Sequence, residues 1–191
     1  MPFPLNVVVI SGSIRQGRQT HKLAVYLYEQ IGRRASIEAH LVDLAQTPLP
    51  ILDKMPDVYV QTHNGVKEMS QLLYNADAIV WVSPEYHGSF SGVLKNALDF
   101  FWHEFSRKPV GVATATNGKF GGINASVQMQ QLALSMGSYA MPYKLIVPHI
   151  DRVFDSKNRP IEPTLIKETE LFIDELLWLS EAVARQKAMV K

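Results

Sequence analysis

The chain has 191 residues, 47% hydrophobic, 9% aromatic and 19% charged, with 11 Gly, 11 Pro and no Cys; such a length suits one domain, spanning 1–191, that buries about 70% of the surface its unfolded form exposes. Its 19 Lys+Arg nearly cancel its 18 Asp+Glu, leaving a formal charge of +1 without the basic excess of a general nucleic-acid binder. The lack of Cys removes disulfides, a thiolate nucleophile and Cys-ligated metals, and no apolar run nears the ~20 residues of a membrane span.

The N-terminal MPFPLNVVVISGS has no basic n-region and runs straight into a strand, so no signal peptide is read and a cytoplasmic location is expected. Leu5 to Ile10 is a continuous β-branched run, the pattern of a strand buried on both faces. A helix follows from Thr20, with Leu23, Leu27 and Ile31 on one face and Gly32 near its end. Ile37 to Val42 reads as a weaker strand, Asp43 to Pro56 as a Pro-punctuated loop, and about Thr62 to Tyr74 as a second helix. Ala78 to Val82 is the third strand. After the loop Ser83 to Ser89 comes a helix with the apolar face Phe90, Leu94, Leu98, Phe101 and Phe105. Val110 to Ala115, Gly121 to Met136 and Tyr143 to Val147 continue as strand, helix and strand, with Pro142 at the start of the last. From Pro163 the spacing of Leu165, Phe172, Leu176 and Leu179 closes the chain with a long amphipathic helix.

Five strands alternating with five helices define a doubly wound α/β domain with a parallel sheet. Ligands of such sheets bind outside the carboxyl ends of the strands. Three post-strand loops there are rich in small and polar residues: Ser11 to Gln19, Ser83 to Ser89, and Thr116 to Gly122.

The first loop, SGSIRQGRQT, suits an anion. A helix N-terminus offers unpaired N–H groups and the positive end of its dipole; Ser13 and Thr20 add hydroxyls and Arg15 a planar, permanent charge. Ser13 by itself reads better as a helix cap, but two arginines and two glycines in one switch-point loop favour anion binding. The dinucleotide pattern G-x-G-x-x-G fails at Ile14. The P-loop pattern fails at Arg18, where it needs Lys, and the third strand ends in Ser83-Pro84 with no magnesium-holding acid. The second loop, SPEYHGS, pairs Pro84 with Gly88 and places Tyr86 between them. It can present backbone donors and acceptors to a flat heterocycle beside an aromatic ring, although by composition it also reads as a surface turn.

GSIRQGRQT and SPEYHGSFSGVLKNALDFFWHEF together resemble the NAD(P)H-dependent FMN reductase family, flavodoxin-like enzymes that include quinone, azo-dye and chromate reductases. The second stretch carries the likeness over some twenty consecutive positions, and FGGINASVQMQQL extends it. The resemblance implies a three-layer sandwich around a five-stranded parallel sheet of order 2-1-3-4-5. It implies FMN with its phosphate at Ser13, Arg15 and Thr20, and its ring against Pro84, Glu85, Tyr86, His87 and Gly88. Thr116, Asn117 and Gly118 are expected near the pyrimidine side. His87 stands where Asn is usual, Ser91 where Pro is usual, and Arg18 where a small residue is common.

The implied activity is hydride transfer from NADPH or NADH to FMN, then two-electron transfer to a flavin, quinone, azo compound or metal ion, in ping-pong order. No side chain is singled out as catalytic acid, base or nucleophile. The six His show no close metal-ligand spacing, and His103-Glu104 lacks the second His of a zincin, having Arg107 there. Gly88-Ser89-Phe90-Ser91-Gly92 has Phe where a hydrolase needs its central Ser. An electron-transfer flavodoxin or flavin-binding regulatory protein is the alternative; the near-neutral charge disfavours the first. The aromatic run Phe100, Phe101, Trp102 and Phe105 fits either a wide buried face or an interface. The resemblance implies a homodimer or homotetramer.

Overall fold

A computed structural model describes residues 4–189. The β-branched run forms β1 (Leu5–Ser11). It is followed by α1 (Thr20–Gly32), β2 (Ile37–Asp43), α2 (Pro56–Thr62), α3 (Asn64–Asn75) and β3 (Ala78–Ser83). A small hairpin, β4 (Glu85–Tyr86) and β5 (Ser89–Phe90), leads to α4 (Gly92–Asp99) and β6 (Pro109–Ala115). The chain then continues through α5 (Ile123–Ser135), β7 (Tyr139–Ala140), β8 (Leu145–Val147) and α6 (Pro163–Met189).

The main sheet is parallel and runs β2-β1-β3-β6, with β7 and β8 both on the far side of β6. That is the expected order 2-1-3-4-5, with the fifth strand in two pieces. Pro142 lies in the gap between them; it has no N–H to give to a ladder. Alternation along the central strands feeds two cores. Val7, Val9, Val80 and Val82 face α1 and α6 on one side, packing against Leu23, Leu27, Phe172 and Leu176. Val8, Ile10, Ile79 and Trp81 face α3, α4 and α5 on the other, with Leu73, Leu98 and Met129.

Two helices depart from the spacing. The helix expected over Thr62–Tyr74 starts at Asn64, because His63 leaves helical geometry and its ring Nδ1 accepts the Val66 N–H at 3.3 Å; a separate short helix, α2, precedes it with Pro56 in its first turn. The helix carrying the aromatic run stops at Asp99. Beyond it an irregular segment turns Phe100, Phe101 and Phe105 inward, where all three are buried and Phe105 meets Trp81 edge-on at 5.5 Å. A continuing helix would fan Phe100 and Phe101 about 100° apart. Of the four aromatic residues in the run, Trp102 alone is exposed, at 66%.

Candidate active site

The ends of β1, β3 and β6 open onto a cleft of about 240 Å³. Its walls come from the three loops read from the sequence: Ser13, Arg15 and Thr20; Pro84, Glu85 and Tyr86; Thr116 and Asn117. Arg18, Gln19, Ala115 and Ile150 complete it. His87, Gly88 and Gly118 do not line it. They shape the two loops that do.

The first loop is poor in internal partners where an anion would sit. Gly12 N–H donates to Val82 O at 2.8 Å and Arg18 N–H to Arg15 O at 3.1 Å. Among the described residues, the N–H groups of residues 13–17 and the hydroxyls of Ser13 and Thr20 have no hydrogen-bond acceptor within the protein. The N-termini of α3, α4 and α5 are met by His63, Ser91 and Glu85. That of α1 is met by no side chain and has no acid in its first turn. Orphan donors, a free dipole end and the exposed Arg15 therefore converge on one spot.

Gly12 is required by close approach. A Cβ there would lie 2.9 Å from Val82 O and 3.0 Å from Leu94 Cβ. The Gly12 carbonyl accepts a short hydrogen bond from Ser91 Oγ, and Ser91 N–H donates to Ser83 Oγ at 3.0 Å. Ser91 Oγ also accepts the Leu94 N–H at 3.3 Å, capping α4. A proline in place of Ser91, the usual residue of the resembling family, would lack both the hydroxyl and the N–H.

Arg18 belongs to the loop's support. Its guanidinium forks onto the Asp43 carboxylate, with one contact at 2.6 Å, and donates to the Ser13 carbonyl. Asp43 is buried at the end of β2 and also accepts the Ala45 N–H at 3.0 Å. Burial pushes the Asp43 carboxyl pKa up, but the hydrogen bonds from Arg18 and Ala45 together with the charges of Arg18 and His21 outweigh it and hold the group below its ordinary value. His21 lies beside the pair, its Nδ1 3.0 Å from Ser11 Oγ; burial and then Arg18 lower its pKa, against a smaller pull from Asp43.

The second loop is the β4–β5 hairpin. Its two turn residues, His87 and Gly88, both have positive φ, 51° and 76°. A two-residue hairpin turn with φ positive at both positions favours Asn-Gly, which accounts for the usual Asn where His87 stands. The hairpin is bound to α5 on three hydrogen bonds: Ala125 N–H to Glu85 Oε2 at 2.9 Å, Ser89 Oγ to Gln128 Oε1 at 2.7 Å, and Gln128 Nε2 to Gly88 O at 2.7 Å. The carboxylate of Glu85 thus occupies the positive end of α5, while Tyr86 stays exposed beside the cleft. In the third loop Thr116 Oγ1 donates to Gly118 O at 3.2 Å, and the His149 ring meets Asn117 O at 3.1 Å.

Sequence reasoning missed Asp43, Gln128 and Ile150, which come from distant segments, and it did not foresee Arg18 as a brace. It also gave no sign of a larger cavity, about 550 Å³, between the segment after α4 and the end of α5 beside Trp102 and Met136. That hollow lies away from the strand ends.

A doubly wound sheet with an anion cradle and an aromatic-edged loop at its switch point defines a nucleotide- or flavin-binding α/β protein. Residues 5–151 match the model of the NADPH-dependent FMN reductase family, and the chain belongs to that family. It is 30% identical to an NADPH azoreductase of Bacillus sp. (strain OY1-2) over 173 residues, covering 88% of this chain and 93% of that one. It is 36% identical to the FMN-dependent NADPH-azoreductase of Staphylococcus aureus over 135 residues, 69% of each chain. In fold it is similar to FerB, a flavoenzyme NAD(P)H:(acceptor) oxidoreductase from Paracoccus denitrificans, with a TM-score of 0.77 at 23% identity over 93% of this chain and 98% of that one. The family makes the protein an oxidoreductase with FMN and NAD(P)H as cofactors. No helix among the described residues is long and apolar enough to cross a membrane.

Proposed function

We propose that the chain holds FMN in the three-loop cleft and passes two electrons from NAD(P)H to a small-molecule acceptor (a flavin, a quinone, an azo compound or a metal ion) in ping-pong order. The observation that carries this reading is the uncapped start of α1 beside five unpaired N–H groups and the two free hydroxyls of Ser13 and Thr20. That donor set fits a phosphate dianion. Ser13, Arg15 and Thr20 hold the phosphate; Pro84, Glu85 and Tyr86 border the ring; His87 and Gly88 set the turn that presents them. Thr116, Asn117 and Gly118 face the polar edge of the ring.

Bound FMN supplies the two-electron chemistry. The protein's part is to bind and orient. The loop donors fix the phosphate end, the hairpin fixes the ring plane through its attachment to α5, and the open rim beside Tyr86 admits first the nicotinamide and then the acceptor. No side chain is assigned a proton-transfer role.

The test is an absorbance spectrum of the protein reconstituted with FMN, before and after anaerobic NADPH, followed by initial rates with a quinone and an azo dye. Flavin bands that bleach, with parallel double-reciprocal lines, are expected. Bound flavin that resists both NADPH and NADH would make the protein an electron carrier or regulatory flavin binder. We also propose a cytoplasmic homodimer, or a pair of dimers, assembled through the exposed apolar stripe Ile123, Val127 and Leu134 of α5. Light scattering reads its mass directly.

A further inference from the structure

Arg18 lies in the loop between β1 and α1, and its charge is already committed. The fork onto Asp43 and the bond to the Ser13 carbonyl use three of its five N–H donors. Arg18 is only 16% exposed and Asp43 only 7%, so neither is a solvated surface charge. In a planar trans peptide the C=O and the following N–H point in opposite directions. Drawing the Ser13 carbonyl onto the guanidinium therefore turns the Ile14 N–H away from it, and among the described residues that N–H has no acceptor. Asp43 is in turn fixed by β2, which pairs with β1 up to the Ser11↔Asp43 register. The brace thus ties the loop to the strand beside it.

We infer that Arg18 is a positioning residue for the FMN phosphate. With Asp43 it sets the Ser13–Ile14 peptide so that the loop offers N–H groups rather than a carbonyl to the anion, and it leaves Arg15 as the loop's free cation. The inference rests on FMN binding in this cleft and concerns only the phosphate end.

Flavin affinity measured with FMN and with riboflavin, which lacks the phosphate, isolates that end. Wild type is expected to prefer FMN; if it binds neither flavin, the FMN reading itself fails. In Arg18→Ala and in Asp43→Asn the FMN Kd is expected to rise about tenfold, the scale of one charged hydrogen bond, while the riboflavin Kd stays within about twofold. The double variant should be little worse than either single one, because both remove the same brace. A direct phosphate contact by Arg18 predicts the opposite sign for Asp43→Asn, since freeing the guanidinium would tighten FMN; that result overturns the proposal. Equal weakening of FMN and riboflavin overturns it too, as does no change. If Arg18→Ala does not fold, Arg18→Lys keeps the charge without the fork. Positioning predicts that it loses FMN preference, and a charge role predicts that it retains it.

Discussion

Two loops flank the cleft, and they are held by different physics. The loop after β1 is braced by a largely buried ion pair, Arg18 with Asp43. The hairpin after β3 is held by a left-handed turn and by Glu85 and Gln128 contacts to α5. The first leaves its backbone donors unspent; the second spends its polar groups on the scaffold and exposes an aromatic side chain. An anion needs free N–H groups with a positive field, whereas a flat ring needs a rigid wall. The first loop is stiffened by groups other than those proposed for the ligand, whereas in the hairpin Glu85 both anchors the loop to α5 and borders the cleft.

The largest effect should come where the two loops meet. Gly12→Ala drives a methyl against Val82 O and Leu94, so a loss of about 1–3 kcal/mol is expected, read by urea unfolding, together with loss of bound flavin. If Gly12→Ala keeps stability and flavin, the loops are not mechanically joined there. Next comes Glu85→Ala, which strips the carboxylate from the start of α5. It should cost about 1–2 kcal/mol and leave FMN preference over riboflavin intact if, as proposed, the hairpin borders the ring rather than the phosphate. Glu85→Gln should recover part of the stability.

Smaller and of opposite sign is His87→Asn. Asn tolerates positive φ better than His and completes the favoured turn pair, so a gain of about 0.5 kcal/mol is expected by thermal unfolding. The least effect is a pH slope set by His21 in α1 and Asp43 at the end of β2, beside the first loop. His21 has a folded pKa below its ordinary 6.5; between the two values the unfolded chain binds more protons, so stability falls as pH drops below 6.5. Asp43 adds a further loss below 3.8, on the way down to its folded pKa. Unfolding curves at pH 7 and pH 5 should show the slope in wild type and flatten it in His21→Asn; an unchanged slope removes His21 from the account.

The sheet and the three loops were legible because they rest on local signals: β-branched runs, Gly and Pro punctuation, and a motif of some twenty positions. The supports were not legible. Asp43 reads as the end of a weak strand and Gln128 as an ordinary helix residue; only the crossover topology brings one under Arg18 and the other onto Gly88. The aromatic run misled by its period. The helix ends at Asp99, and Phe100, Phe101 and Phe105 pack into the core on the α3–α4–α5 face of the sheet, a tertiary preference that overrides local propensity.

The divided fifth strand has a consequence for the protein in crowded solution. A long, flat outer strand is a template on which another chain can pair and begin to aggregate. Here that outer row is two residues, then a gap containing Pro142, then three residues. An incoming strand would find no continuous ladder to extend. The same interruption that blurred the strand in the sequence guards one rim of the sheet against fibrillar growth, a protection that replacing Pro142 by a β-former such as valine would weaken.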